Sequence, residues 1–194
     1  MERALLFIDR LNTLIGRTFA WCSLLLVFVM CFEVFSRYLF HAPTKWAFDA
    51  SYMLYGTLFM MAGAYTLAKN NHVRGDFLYR NWRPRMQAAF DFALYFLFFF
   101  PGILALCIAG TFEADRAWMT GERSNSPATV PLAPFKTLIP IVGVLMLLQG
   151  IVEVIRCIQC IRSGKWPRRL RDIEELENQI LAERAAAAKE GAGK

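Results

Sequence analysis

Long uncharged apolar runs alternate with short charged stretches along this chain, and four such runs stand out. Thr18 to Phe32 carries no charge and continues to Phe40 with only Glu33 and Arg37 ionised. Ala50 to Ala68 supplies nineteen uncharged residues, Phe92 to Phe112 twenty-one, and Leu138 to Val152 fifteen, the last preceded by the uncharged, proline-containing run Ser124 to Phe135. A bilayer core of about 30 Å takes roughly 20 helical residues. The second and third runs reach that length unaided, and the first and fourth reach it when the charges near their ends sit at the interface. None alternates with a period of two, as a barrel strand would, and in hydrocarbon a helix satisfies its own backbone. A soluble bundle would have to bury Phe96, Leu97, Phe98, Phe99 and Phe100 on all sides at once. The pattern predicts an all-α membrane protein with four transmembrane helices, over about 17–40, 46–68, 88–112 and 135–156. These form one domain, 1–162, followed by a charged tail, 163–194.

The edges of the runs carry further signals. Leu5, Ile8, Leu11 and Ile15 share one helical face, which suits either a short N-terminal helix lying in the membrane interface or a straight extension of span one. No small-x-small cleavage site follows the first run, so it is expected to remain as a helix. Pro43 breaks the helix at the end of span one. Trp46 opens span two as an interfacial anchor, and Asp49 falls in its first turn, where a carboxylate complements the helix dipole. Pro84 suits the first turn of span three. Pro101 removes the amide that would bond to the Leu97 carbonyl and predicts a kink within the membrane. The apolar pattern beyond it runs on to Trp118. Two more amphipathic stretches are expected outside the spans, one around Val73, Phe77 and Leu78, the other over Leu170, Ile173, Leu176 and Ile180.

Composition and charge turn this into a topology. Apolar residues make up 56 % of the chain, against about 45–50 % in a typical soluble domain. The N-terminal segment, the second connection and the tail together hold 17 basic residues, while the other side of the spans holds 5. Basic residues gather on the cytoplasmic side, so both termini are expected there. The net charge of +6 follows from this asymmetry. No basic stripe on a soluble module points to nucleic acid.

An ionisable group inside a span is a functional candidate because it is costly there. The span centres, near Leu26, Phe59, Gly102 and Leu145, have no acidic or basic residue close by and no polar cluster is expected among them. Transporters acting alone generally place polar or broken-helix sites at that depth. The in-span charges Glu33, Arg37, Asp91 and Glu153 all lie near an end. Glu33 and Arg37 are four apart in the favourable order for a helix pair, and Glu153 and Arg156 are three apart. Such pairs either neutralise each other at the interface or meet a partner subunit or lipid headgroup. His41 and His72 are the only histidines and fall in connections on opposite sides, which does not suit a haem. Cys22, Cys31 and Cys107 read as apolar fillers, and Cys157 and Cys160 lack the further ligands a zinc site needs. No catalytic set or phosphate loop is present. The chain is therefore read as non-catalytic, without cofactor, metal or substrate site. It is expected to act as a helical partner whose small residues at Ala64/Ala68 and Ala105/Ala109 pack against lipid and another protein. A membrane anchor for a redox or other enzyme complex is the alternative, and a stand-alone small transporter a third.

The stretch from Glu33 to Tyr79 carries more than composition. Span one ends in Arg37-Tyr38, span two opens with Trp46-x-x-Asp49, and Gly63-Ala64 precedes His72-Val73-Arg74-x-Asp76. Leu147-Leu148-Gln149-Gly150 adds a similar element in span four. In these features, its length and its four spans, the chain resembles the small membrane (Q) subunit of tripartite ATP-independent periplasmic (TRAP) transporters. The resemblance implies a large membrane subunit (M) that carries the sodium and substrate sites, and a periplasmic binding protein (P) that delivers an organic acid anion. It also implies a bacterial inner-membrane location, with the small subunit as scaffold and part of the outer docking surface. The residues expected to serve structure or partner contact are Glu33, Arg37, Trp46, Asp49, Gly63, His72, Arg74, Asp76, Glu113 and Asp115. Glu113 to Ser126 is expected near the docking face, and His72, Arg74 and Asp76 at the turn after span two.

Overall fold

The computed structural model describes residues 2–69 and 82–167, and every regular element among them is helical. Helix α1 spans Glu2–Tyr38, α2 spans Ala47–Ala68 and α3 spans Pro84–Leu94. A π-helical turn, Tyr95–Phe99, leads without interruption into α4, Phe100–Thr120, and α5 spans Ala133–Ser163. Three helical stretches are long and apolar enough to cross a membrane: Ala4–Tyr38, the rod Pro84–Thr120 and Ala133–Ser163. With 22 residues, α2 reaches about 33 Å at 1.5 Å per residue. It has the length of a span, but Tyr52, Tyr55 and Tyr65 lower its hydropathy and it is not among those three.

The helix boundaries follow from local chemistry. Pro84 stands in the first turn of α3, where its missing amide costs nothing. Gly121 and Gly164 end α4 and α5 in the left-handed conformation, with φ of 58° and 77°, a cap that glycine adopts without Cβ strain. The irregularity expected at Pro101 takes the form of the π turn directly before it. The Phe100 amide bonds five residues back to the Tyr95 carbonyl, so the ladder widens where the proline has no donor to give.

Helix α5 is the centre of the packing: it lies against α1, α2, α3 and α4. Helix α2 fits between α1 and α5, and α1 makes no extensive contact with α3 or α4. The result is an open row rather than a closed bundle. Large apolar side chains such as Trp21, Phe28, Phe59, Phe96 and Phe112 face outward along it. Glycines set the closest crossings. A Cβ on Gly16 would stand 2.5 Å from Tyr65 Cβ, and one on Gly143 would stand 2.5 Å from Cys107 Sγ.

Of the two alternatives for the N-terminal segment, the structure takes the straight extension of span one over a separate helix in the interface. The segment continues α1 without a break over 37 residues, about 55 Å, because Leu5, Asp9, Asn12 and Thr13 bury one face of it. Ala64 and Ala68 are buried within the chain itself, so they do not offer a surface to lipid or partner, whereas Ala105 and Ala109 are exposed. The interior also contains a buried polar cluster, at the end of the row where α1 begins, described below. The amphipathic stretch around Val73 and the tail helix over 170–180 lie outside the described residues.

Candidate functional site

Polar side chains collect at the two ends of the helical row, and each end is tied together by a different set. At the end where α1 runs into α2, Glu33 accepts a 3.0 Å bond from Arg37 Nε and a 3.0 Å bond from the Thr44 amide. The Thr44 hydroxyl donates to the same carboxylate. The pair expected from the i,i+4 spacing therefore forms, and its carboxylate also closes the turn around Pro43. Trp46 caps α2 and stacks on Phe32 at 6.0 Å.

Asp49 does more than face the α2 dipole. It is buried, and its Oδ2 accepts hydrogen bonds from Ser124 at 2.8 Å and from Ser126. Ser124 and Ser126 are also within 2.8 Å of each other. One carboxylate in the first turn of α2 thus fastens the connection between α4 and α5. Beside it opens a cleft of about 760 Å³, walled by Pro43, Phe48, Tyr52 and Met53 on one side and by Asn125 and Pro127 on the other. Further along the same connection, Lys136 Nζ bridges Glu113 at 3.1 Å and Glu122 at 2.6 Å. Arg116 also approaches Glu113, at 4.0 Å. Asp115 is exposed on the next face of α4 and does not join this group. Gly63 faces Met146 of α5, with room for ordinary contact.

The opposite end holds the buried polar cluster. Asn12 Nδ2 donates to Gln149 Oε1 at 2.8 Å, and Gln149 Nε2 donates to Asp9 Oδ1 at 2.9 Å. Arg156 donates to the other oxygen of Asp9 and, at 2.8 Å, to Glu153 Oε1. Side-chain exposure is 1 % for Arg156 and 0 % for Asp9, so the ion pair is shielded from water. Isolated charges do not survive such burial; paired and hydrogen-bonded ones do. Among the described residues, Asn12 Oδ1, Thr13 Oγ1 and Arg156 Nε have no hydrogen-bond partner. The Glu153–Arg156 pair was legible from spacing, but Asp9, Asn12 and Gln149 were not. The available signal was the polar stripe Asp9, Asn12, Thr13 and Gly16, which shares α1 with the apolar stripe that drew attention instead.

Cys157 and Cys160 pack with Ala88 in a small apolar cluster against Phe92, Tyr95 and Trp166. Both side chains are buried there. No group of three potential metal ligands occurs among the described residues. His72, Arg74 and Asp76 lie outside them.

Chemically, both ends hold helices together; neither aligns a nucleophile with a base. Comparison with protein-family models matches residues 26–160 to the DctQ component of tripartite ATP-independent periplasmic transporters. No individual curated protein matches the chain. The matched region includes the span-one terminus, the Asp49 latch and all of α5 through Cys160, and the chain belongs to the DctQ family, the small, non-enzymatic membrane component of TRAP transporters.

Proposed function

We propose that this chain is the scaffold subunit of a TRAP transporter in a bacterial inner membrane, crossing it four times with both ends in the cytoplasm. The observation that carries the reading is the distribution of charge. Within about one and a half helical turns of Leu26, Phe59, Gly102 and Leu145 there is no acidic or basic side chain, and ionic groups gather at the helix ends. A path for an organic anion or its coupling ion would need polar groups at that depth. In the polar cluster nearest to it, Asn12 is bonded to Gln149 and Gln149 to Asp9 within the chain.

The open row supplies what a brace requires. Apolar stretches of α1 and of the α3–α4 rod stay uncovered by the chain's own helices, leaving surface for lipid and for a large membrane subunit. That subunit moves the cargo, an organic acid anion driven by sodium. The Asp49 latch, the cleft beside it and the Glu113–Lys136–Glu122 group form the outer face, where a periplasmic binding protein docks transiently.

Co-purification from membranes and uptake by reconstituted vesicles test this. The chain is expected to come down with a larger polytopic protein, and vesicles lacking it are expected to lose uptake. Normal uptake by the large subunit alone would remove the scaffold role, and flux through vesicles holding only this chain would replace it with a carrier role.

A further inference from the structure

Arg83, Arg85, Arg162 and Lys165 gather at one corner, where α3 starts and α5 ends. All four side chains are exposed. Arg85 joins the two elements: its Nε lies 3.3 Å from the position a Cβ would take on Gly164. The glycine that caps α5 therefore also makes room for the guanidinium. Several other cations of this chain have carboxylate partners: Arg37 with Glu33, Lys136 with Glu113 and Glu122, Arg156 with Asp9 and Glu153. At this corner none of the four cations has a carboxylate partner among the described residues. The surroundings are those of a membrane interface. Trp82 stands edge-on to Phe90 at 5.4 Å, and Trp166 Nε1 donates to Gln87 Oε1 at 3.2 Å. Two tryptophans at one level mark headgroup depth. Beyond them Met86, Phe90 and Leu94 present an exposed apolar strip along α3.

We propose that this corner binds the headgroup of an anionic phospholipid, its phosphate among the four cations and its acyl chain along Met86, Phe90 and Leu94. Arginine favours phosphate through paired, planar N–H donors. The shared chemistry is that of a phosphate anion, and the apolar strip below the cations selects a lipid over the free ion. The inference does not depend on the transporter reading, since the ligand is a component of the bilayer.

Native mass spectrometry of the purified full chain, given phosphatidylglycerol and phosphatidylcholine with identical acyl chains, tests it. Clustered cations each add to attraction for anionic lipid, so a preference for phosphatidylglycerol of about tenfold or more is expected. The variant R83Q/R85Q/R162Q/K165Q is expected to bring the two lipids to parity. The pair R162Q/K165Q alters only exposed groups at the end of α5 and is expected to reduce the preference several-fold without disturbing helix packing. The control K45Q/R116Q/R123Q, at the other end of the row, is expected to keep it. Equal retention of both lipids by the unaltered chain would overturn the proposal, as would a preference that survives R162Q/K165Q undiminished. Displacement of the lipid by excess inorganic phosphate would assign the corner to the free ion instead.

Discussion

Asp9 and Arg156 stand 147 residues apart in the sequence and form a buried ion pair that ties the start of α1 to the last third of α5. Gln149 supports Asp9 from one side, and Glu153 shares the guanidinium from the other. This relationship explains why α1 runs straight rather than turning into the interface: its buried polar residues Asp9 and Asn12 find their partners on α5.

Removing one member of the pair leaves the other charge buried alone. Arg156→Met is expected to destabilise the fold by about 3–5 kcal/mol. Replacing the set together, as D9L/E153L/R156M, is expected to recover most of the loss, because well-packed apolar groups can substitute for a complete buried network. Thermal unfolding in detergent, followed by far-ultraviolet circular dichroism, reads both. Equal damage from the single and triple changes would show that the ion pair is not the source of the effect.

Asp49 is expected to act as a latch on the connection between α4 and α5. In Asp49→Ala the hydroxyls of Ser124 and Ser126 lose their acceptor, at a cost of about 1–3 kcal/mol for a buried hydrogen-bonded group. The Ala128 amide, held by Ser126 Oγ at 3.2 Å, is expected to exchange with deuterium faster, while amides of the α5 interior keep their rates. Unchanged exchange across 124–130 would mean the latch does not hold the loop.

Gly150 allows the Phe99 ring to sit against α5, and a Cβ at that position would collide with the ring. Gly150→Ala is expected to cost about 1–3 kcal/mol through overpacking. Shortening the ring partner, in G150A/F99L, is expected to return part of that loss, so the two changes should be non-additive. Additive losses measured by the same unfolding assay would place the strain elsewhere.

Lys136 draws Glu113 and Glu122 together across the outer connection. Lys136→Met is expected to leave thermal stability nearly unchanged, because exposed ion pairs contribute about 0–1 kcal/mol each. The consequence is expected in docking instead. Uncovering two carboxylates changes the charge of the outer face, so the association rate with the periplasmic binding protein should change and should depend on salt. Surface plasmon resonance at low and high ionic strength would read it, and a rate insensitive to both substitution and salt would take this group out of the docking face.

The amino-acid sequence alone determined the helical class, the rough placement of the four apolar helices, and the family. Those properties are written in local chemistry: uncharged runs of spanning length, prolines at positions 43, 84 and 101, and tryptophan and aspartate at the start of α2. The short-range pairs Glu33–Arg37 and Glu153–Arg156 were legible too, because helical geometry fixes which residues three or four apart can meet. Only the tertiary structure decided that α5 is the central helix, that the row stays open, and that Asp9, Asn12 and Gln149 complete a buried network with Arg156. It also decided that Asp49 reaches Ser124 and Ser126 across 75 and 77 residues. A polar residue on a helix face reads the same in sequence whether it meets water or a distant partner. Which of these it meets depends on which faces the packed helices bring together.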